Sequence, residues 1–454
     1  MQPYSIQKFI DDQPVRGVHR LALLLCALVM SVDAFDTFVV GKIAPAIAAG
    51  FGTSPAALTI VFLLQQLGLA AGAFVATPLA DRYGRQRMMA VCLVSFGIIS
   101  ILSVLAKTLV ELGILRGVAG LFLSGVLPMA VALIAETVPR RRRGLYISMA
   151  FVAYSAGSAA GGLVAIWLLD AYGWQSAFVV GGVIPLLLLP FIVFFLPESL
   201  PYLASNGAPA ERIRAGMRRL NPDVRVPENV VFQPGDQSQS TGPNGFAILF
   251  DREHRFTTLL LWLATFLSMG CIALLGAWLP TFFQEMAGVA VQKFAVYALI
   301  GFAGGLAGAL SSGWLLDRLS STIVAPLYYS GLAASLMLMG LIPFEASAFV
   351  FILVLLNFFQ SGGQAILNTL LARVYPASIR STGIGWAGGL GRLGGVVLTL
   401  FGGFALEAHY SIGTTMALVA SIPTGVVLAL LTLNAQRKYS QDVLTSPRAG
   451  SGAI

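Results

Sequence analysis

Two aspartates, Asp33 and Asp36, lie three residues apart in the stretch SVDAFDTFVVG, within a segment that is apolar from Leu21 to Ala48. Ionising a carboxyl group away from water is costly, so acidic residues in such surroundings mark sites of function. Their spacing is close to one helical turn, which puts both on one side of a helix. A carboxyl pair so placed is suited to take up and return a proton, with Asp36 as the titrating member and Asp33 as its partner or anchor; accepting hydrogen bonds from a facing helix end or hydroxyl is the structural alternative. Arg392 is surrounded by Gly388, Gly389, Gly391, Gly394 and Gly395, small residues that leave room beside a guanidinium. A guanidinium fork holds a carboxylate through two hydrogen bonds, so Arg392 suits an anionic ligand; a structural salt bridge is the plainer alternative. Arg116 precedes Gly120, Ser124 and Pro128 on one helical face. It either joins the proton machinery or snorkels to the membrane interface. Glu136 stands just before the basic run PRRRRG, where a charge relay with Asp81 and the basic loop fits better than ligand contact.

The elements that must hold these residues are membrane helices. Of 454 residues, 57% are hydrophobic and 11% charged, with a mean hydropathy of +0.82; soluble domains carry about 25% charged residues. Apolar runs of helix-spanning length recur throughout, and they lack the alternation of a β-barrel. The run from Leu21 has no cleavage-site pattern and reads as a retained span. Twelve spans are expected, in two six-helix bundles at 18–196 and 257–433. Flanking them are an N-terminal segment at 1–17, a polar linker at 197–256 and a tail at 434–454. Within the linker, ERIRAGMRRLNP suits a short amphipathic helix, and residues 233–245 are rich in Gln, Ser, Gly and Pro. Cys26, Cys92 and Cys271 all fall in apolar runs, where they act as small hydrophobes. The net charge of +8 reflects basic residues beside spans, so membrane topology explains it without nucleic acid.

With both termini cytoplasmic, inside segments carry 23 of the 28 Lys and Arg residues. Lys42, Lys107 and Lys293 remain on the outer side, and Arg116 and Arg392 within spans. This bias sets the orientation and places Asp81, Arg82, Gly84 and Arg85 of DRYGRQR in an inner loop. Such a loop docks on neighbouring helix ends in one conformation and leaves them in another, which is a gating role. The halves repeat: Pro45 answers Pro280, Asp81 answers Asp317 and Pro139 answers Pro376, in the same order and at a nearly constant offset. An internal duplication is the economical reading, and it extends the gating assignment to Asp317 and Arg318. The aspartate pair has no acidic counterpart in span 7, where the equivalent stretch runs from Ser268 to Ala273. In span 10, Asn357, Gln360, Gln364 and Asn368 recur at helical steps; amides at this depth glue helices or line a cavity. His19, His254 and His409 show no metal-ligand spacing, and no P-loop is present.

TPLADRYGRQR at 77–87 resembles the loop signature Gly-x-Leu-Ala-Asp-Arg-x-Gly-Arg-Lys of the major facilitator superfamily, with Thr77 in place of the leading glycine. The resemblance covers residues 15–435. More narrowly, the chain resembles the aromatic acid:H⁺ symporters. DAFDTFVVGKIAP is similar to their Asp-Gly-x-Asp-Thr motif with Ala34 for the glycine, and LRGVAGLFLSGVLPMAVALIAETVP carries Met129 where an asparagine is common. LLLWLATF, AWLPTFF, GGQAILNTLLARVYP and STGIGWAGGLGRLGG complete the set.

That resemblance implies an all-α membrane protein of the major facilitator fold, its two bundles related by a pseudo-twofold. It also implies a multi-pass protein of the bacterial inner membrane with no enzymatic activity and no cofactor. A proton gradient would drive symport of a small aromatic carboxylate, as in aromatic hydrocarbon catabolism. Substrate and protons, besides lipid, would be the partners of a monomer. Asp33, Asp36, Arg116 and Glu136 would serve proton coupling. Arg392, Gln364, Asn368, Thr37, Trp278 and Trp386 would contact substrate, Gln364 through a ring hydroxyl and the tryptophans by stacking, although packing or interfacial anchoring is the plainer role for both tryptophans. Two other readings are a drug:H⁺ antiporter of the same fold and a non-transporting sensor. The antiporters carry Gly-Pro-x-x-Gly-Gly in span 5, where this chain has GSAAGG with Ser158 at the proline position.

Overall fold

A computed structural model describes residues 2–224, 230–233, 248–251, 254–375 and 380–445. The linker expected around 233–245 lies almost wholly outside them. Among the described residues, 12 helices are long and apolar enough to cross a membrane. Spans 1 to 6 are Gly17–Gly50, Pro55–Ala76, Arg85–Leu105, Leu109–Thr137, Arg140–Val164 and Gln175–Phe195. Spans 7 to 12 are Arg255–Ala287, Gln292–Leu316, Ser321–Leu341, Ser347–Val374, Thr382–Glu407 and Ile412–Gln436. Helices satisfy their backbone polar groups internally, which a hydrocarbon surrounding demands.

Span 4 departs from the continuous helix expected over 110–136. It consists of two helices, Leu109–Leu123 and Val126–Thr137, with the break at Ser124–Gly125. Pro128 is the cause: it has no N–H for the Ser124 carbonyl, and its ring crowds that carbonyl. Lys42 lies toward the Gly50 end of span 1, and its Nζ donates to the Ser158 carbonyl of span 5.

The chain divides into two compact units. The first comprises Met1–Ser240, Ala273–Phe302 and Gly395–Ile412; the second comprises Thr241–Ile272, Ala303–Gly394 and Gly413–Ile454. In the first, the repeat becomes visible as contact. Gly41 of span 1 lies against the backbone of Gly276 and Ala277 in span 7, so close that a Cβ at Gly41 would run into the Gly276 carbonyl. Gly276 answers Gly41 at the same offset that separates Pro45 from Pro280. Equivalent positions meet each other where a twofold relation brings them to its axis. The core of the first bundle is built from Val29, Met30, Phe96, Leu123, Leu133 and Ile192, among others.

The first unit also contains a small folded cap that hydropathy does not indicate. The strand Gln2–Ser5 pairs in parallel with Val230–Gln233, joining the N-terminal segment to the linker. Helices Ile6–Asp12, Leu200–Ser205 and Ala210–Leu220 bury Ile6, Phe9, Ile10, Leu203, Ile213 and Met217 together. The expected amphipathic helix is thus present, with Ile213, Met217 and Leu220 on its buried stripe. Asp11 ties the cap to span 5 by accepting from the Arg140 backbone N–H at 2.9 Å.

Candidate functional site

Span 1 brings Asp36 to Arg116 of span 4. Arg116 Nη1 lies 2.7 Å from Asp36 Oδ1, and the two residues are 1% and 2% exposed. Arg116 Nη2 donates to Ser100 Oγ of span 3 at 3.3 Å, and its guanidinium sits 4.9 Å from the centroid of the Phe178 ring in span 6. Four spans therefore converge on one cation, which does not snorkel to the interface. Asp33 is buried one turn away on span 1, and Thr37 is half-buried beside Asp36. A buried pair of this kind is two-state by nature: protonating the carboxyl leaves the guanidinium charge uncompensated, which a low-dielectric surrounding penalises.

Glu136 belongs elsewhere. Its Oε1 lies 2.8 Å from Arg85 Nη2, so the structure groups it with the loop between spans 2 and 3 rather than with Asp36. That loop turns at Gly84, whose φ of 103° favours glycine, and a Cβ there would meet the Glu198 carboxylate. Glu198 Oε1 accepts from the backbone N–H groups of Arg85 at 3.0 Å and Gln86 at 3.3 Å, where span 3 begins. An anion is favoured there by the unpaired amides of a helix N-terminus. Tyr202 OH donates to the Arg82 carbonyl at 3.0 Å, and Arg85 lies over the Tyr202 ring. The side chains of Asp81 and Asp317 lie outside the described residues. Arg318 covers the Trp314 ring at 4.1 Å.

In the second unit a chain of neutral groups links spans 7, 9 and 10. The hydroxyls of Ser268 and Tyr329 are 2.7 Å apart, and Ser268 Oγ donates to Gln364 Oε1 at 2.8 Å. Gln364 Nε2 in turn donates to Asn368 Oδ1 at 3.1 Å. Arg392 is half-buried on span 11. Its neighbours Gly391 and Gly394 back onto Thr265, Phe266 and Met269 of span 7, so Arg392 leaves its helix at the level of the turn bearing Ser268. Trp386 is 42% exposed and stacks on Trp262 with centroids 6.2 Å apart. Trp278, by contrast, is fully buried in the first unit, wedged between Phe62, Phe282 and Gly402, with its indole N–H donated to the Thr399 carbonyl. Its surroundings are those of packing.

Sequence reasoning thus marks Asp36, Arg116, Gln364 and Asn368 but misses Ser100, Phe178, Ser268, Tyr329, Glu198 and Tyr202. Hydroxyl and aromatic residues inside apolar spans leave no trace in a hydropathy profile. Glu198, in the polar PESLPYL, had a readable signal as a carboxylate at the start of the linker.

Comparison with known proteins agrees with this architecture. The family model of the Major Facilitator Superfamily matches residues 26–399. A gallate transporter of Pseudomonas putida is 32% identical over 446 residues, covering 98% of each chain. The 4-hydroxybenzoate transporter PcaK of Pseudomonas aeruginosa is 32% identical over 427 residues, covering 93% of this chain and 95% of its own. Among solved structures, a partially occluded inward open form of the xylose transporter XylE from E. coli superposes with a TM-score of 0.71. It covers 92% of this chain and 99% of its own at 14% identity, a likeness of fold alone. The chain belongs to the Major Facilitator Superfamily and is a multi-pass inner-membrane transporter rather than an enzyme.

Proposed function

We propose that this transporter moves a small aromatic carboxylate into the cell together with protons, by alternating access. The observation that carries the coupling is the buried Asp36–Arg116 pair. With Asp36 ionised, Arg116 is neutralised and the first unit offers no net charge at this point. When Asp36 takes a proton from outside, the guanidinium charge becomes available to attract an anion. Proton and carboxylate then favour each other's binding, which is the reciprocity that linkage requires. Carrying them together also avoids moving a lone charge against the membrane potential, at about 2.3 kcal/mol per charge per 100 mV. Loss of the proton inward restores the ion pair and favours release of the anion.

Arg392 is the anchor for the substrate carboxylate. The gallate and 4-hydroxybenzoate relatives support an aromatic acid as the class carried. Both termini lie in the cytoplasm, as the Lys/Arg distribution favours, and the loop held by Glu136 and Glu198 serves as an inner gate. A monomer suffices, driven by the proton gradient without a bound cofactor, and it feeds the breakdown of aromatic compounds.

Proteoliposomes test this directly. An inward proton gradient should drive accumulation of radiolabelled 4-hydroxybenzoate, a protonophore should collapse it, and Asp36→Asn should abolish it. Full proton-driven uptake by Asp36→Asn would overturn the assignment of the coupling residue.

A further inference from the structure

The Ser268–Tyr329–Gln364–Asn368 chain has a direction, and that direction determines what it presents. Tyr329 is 1% exposed and Ser268 5%. Among the described hydrogen bonds the Tyr329 hydroxyl has Ser268 as its sole partner. A buried phenol proton needs an acceptor, so Tyr329 donates to Ser268. Ser268 then directs its own proton to Gln364 Oε1. An amide's oxygen and nitrogen are ordinarily hard to tell apart, but here the phenol resolves them: Gln364 Nε2 must face Asn368 and donate to Oδ1. Reversing the chain would strand the phenol proton in the interior, an unsatisfied buried donor. The end left over is therefore Asn368 Nδ2, a group that donates and cannot accept. Asn368 is exposed although it lies within span 10, and amides at such depth face a cavity or a partner rather than lipid.

We infer that Asn368 is a specificity-determining contact that reads an oxygen acceptor on the aromatic ring, preset by Tyr329 as a positioning residue. This rests on the aromatic-acid reading above and narrows it to ring-hydroxylated acids. Arg392 leaves span 11 at the level of the Ser268 turn, and Asn368 follows Gln364 by one helical turn, about 6 Å along the axis, a separation that the carboxylate and ring hydroxyl of one aromatic acid can bridge. A ring hydroxyl accepts from Nδ2 through its oxygen, whereas the C–H of unsubstituted benzoate offers nothing and leaves the donor unpaired.

The test is uptake of radiolabelled 4-hydroxybenzoate, gallate and benzoate by the full-length protein in proteoliposomes, with KM and kcat measured separately. The wild-type protein should favour the hydroxylated acids by about tenfold in KM. Asn368→Leu should erase that preference by raising the KM of the hydroxylated acids by a clearly larger factor than that of benzoate. Tyr329→Phe should lower the preference by a smaller factor, because the amides can then reverse, with the pH profile unchanged. The inference is overturned if Asn368→Leu alters all three acids by one common factor, or leaves the wild-type ratio intact. A wild-type protein that neither binds nor moves any of the three would overturn the aromatic-acid reading as well, a result distinct from an unchanged ratio.

Discussion

Asp33–Asp36 on span 1 and Ser268–Cys271 on span 7 occupy equivalent turns of a duplicated scaffold, yet the two turns carry opposite chemistry. In the first, a carboxylate meets a guanidinium at 2.7 Å with almost no solvent. In the second, a hydroxyl joins a phenol and two amides in a neutral chain. The Gly41–Gly276 contact shows that the backbone symmetry survives, so the divergence lies in the side chains. An ion pair can change its charge and thereby answer a proton. A neutral chain keeps its charge and can only present donors or acceptors in a fixed order. Duplication followed by divergence thus separates a region suited to coupling from one suited to recognition.

The strongest way to break this comparison is to neutralise the ionic region. Removing one member of a buried pair strands the other charge, at about 3–5 kcal/mol. Asp36→Asn should therefore lower the melting temperature in detergent and abolish pH-driven uptake. The double variant Asp36→Asn/Arg116→Gln should recover much of the stability without recovering transport. If the double variant still concentrates substrate against a gradient, the coupling role belongs to another group.

Ser268→Ala probes the neutral region and should have a smaller effect. It leaves the Tyr329 phenol without its acceptor, costing about 1–3 kcal/mol. Uptake should remain proton-driven with an unchanged pH dependence. A flattened pH dependence would mean that the neutral chain also handles protons, and the division between the two regions would fail.

Legibility in the sequence follows the same division. Charged residues inside apolar runs are conspicuous, so Asp36 and Arg116 stand out by composition, as do the twelve spans. Their pairing does not, because 80 residues separate them and span 4 alone offers Arg116 two plausible destinations. Ser268 and Tyr329 are silent: a hydroxyl in a greasy helix commonly bonds its own backbone, as Thr265 and Ser335 do here. The cap is silent for another reason. Its parallel ladder joins two short strands, one at the start of the chain and the other in the linker beyond span 6. Strands so brief carry no periodicity, and nothing local announces so distant a partner. The break in span 4 was only half-readable: Pro128 removes one helical hydrogen bond, but Pro45, Pro280 and Pro326 do the same inside helices that continue.

Glu136→Gln sharpens the ionic side by separating coupling from gating. The Arg85 and Glu136 side chains are 12% and 21% exposed, less sealed than Asp36 and Arg116, so the stability cost should be smaller than the ~3–5 kcal/mol of a fully buried pair. The expected outcome is a several-fold lower kcat with the pH dependence of substrate binding retained. Should Glu136→Gln shift that dependence as Asp36→Asn does, the two ion pairs form one coupled system.

The smallest effect belongs to the pair that joins the cap to span 1. Arg16 Nη2 and Asp223 Oδ2 are 3.2 Å apart, but their side chains are 36% and 81% exposed. Exposed pairs contribute about 0–1 kcal/mol because water competes for both charges and long side chains lose freedom in holding them. Asp223→Asn should leave uptake and its pH dependence unchanged, and any small loss of stability should vanish at high salt. The contrast between buried and exposed ion pairs depends on this result. If the ionic region acts because its charges are buried, an ion pair of similar length in water must be inert. A pH dependence altered by Asp223→Asn would instead trace the coupling to charge on the cap, and burial of Asp36 and Arg116 would no longer explain it.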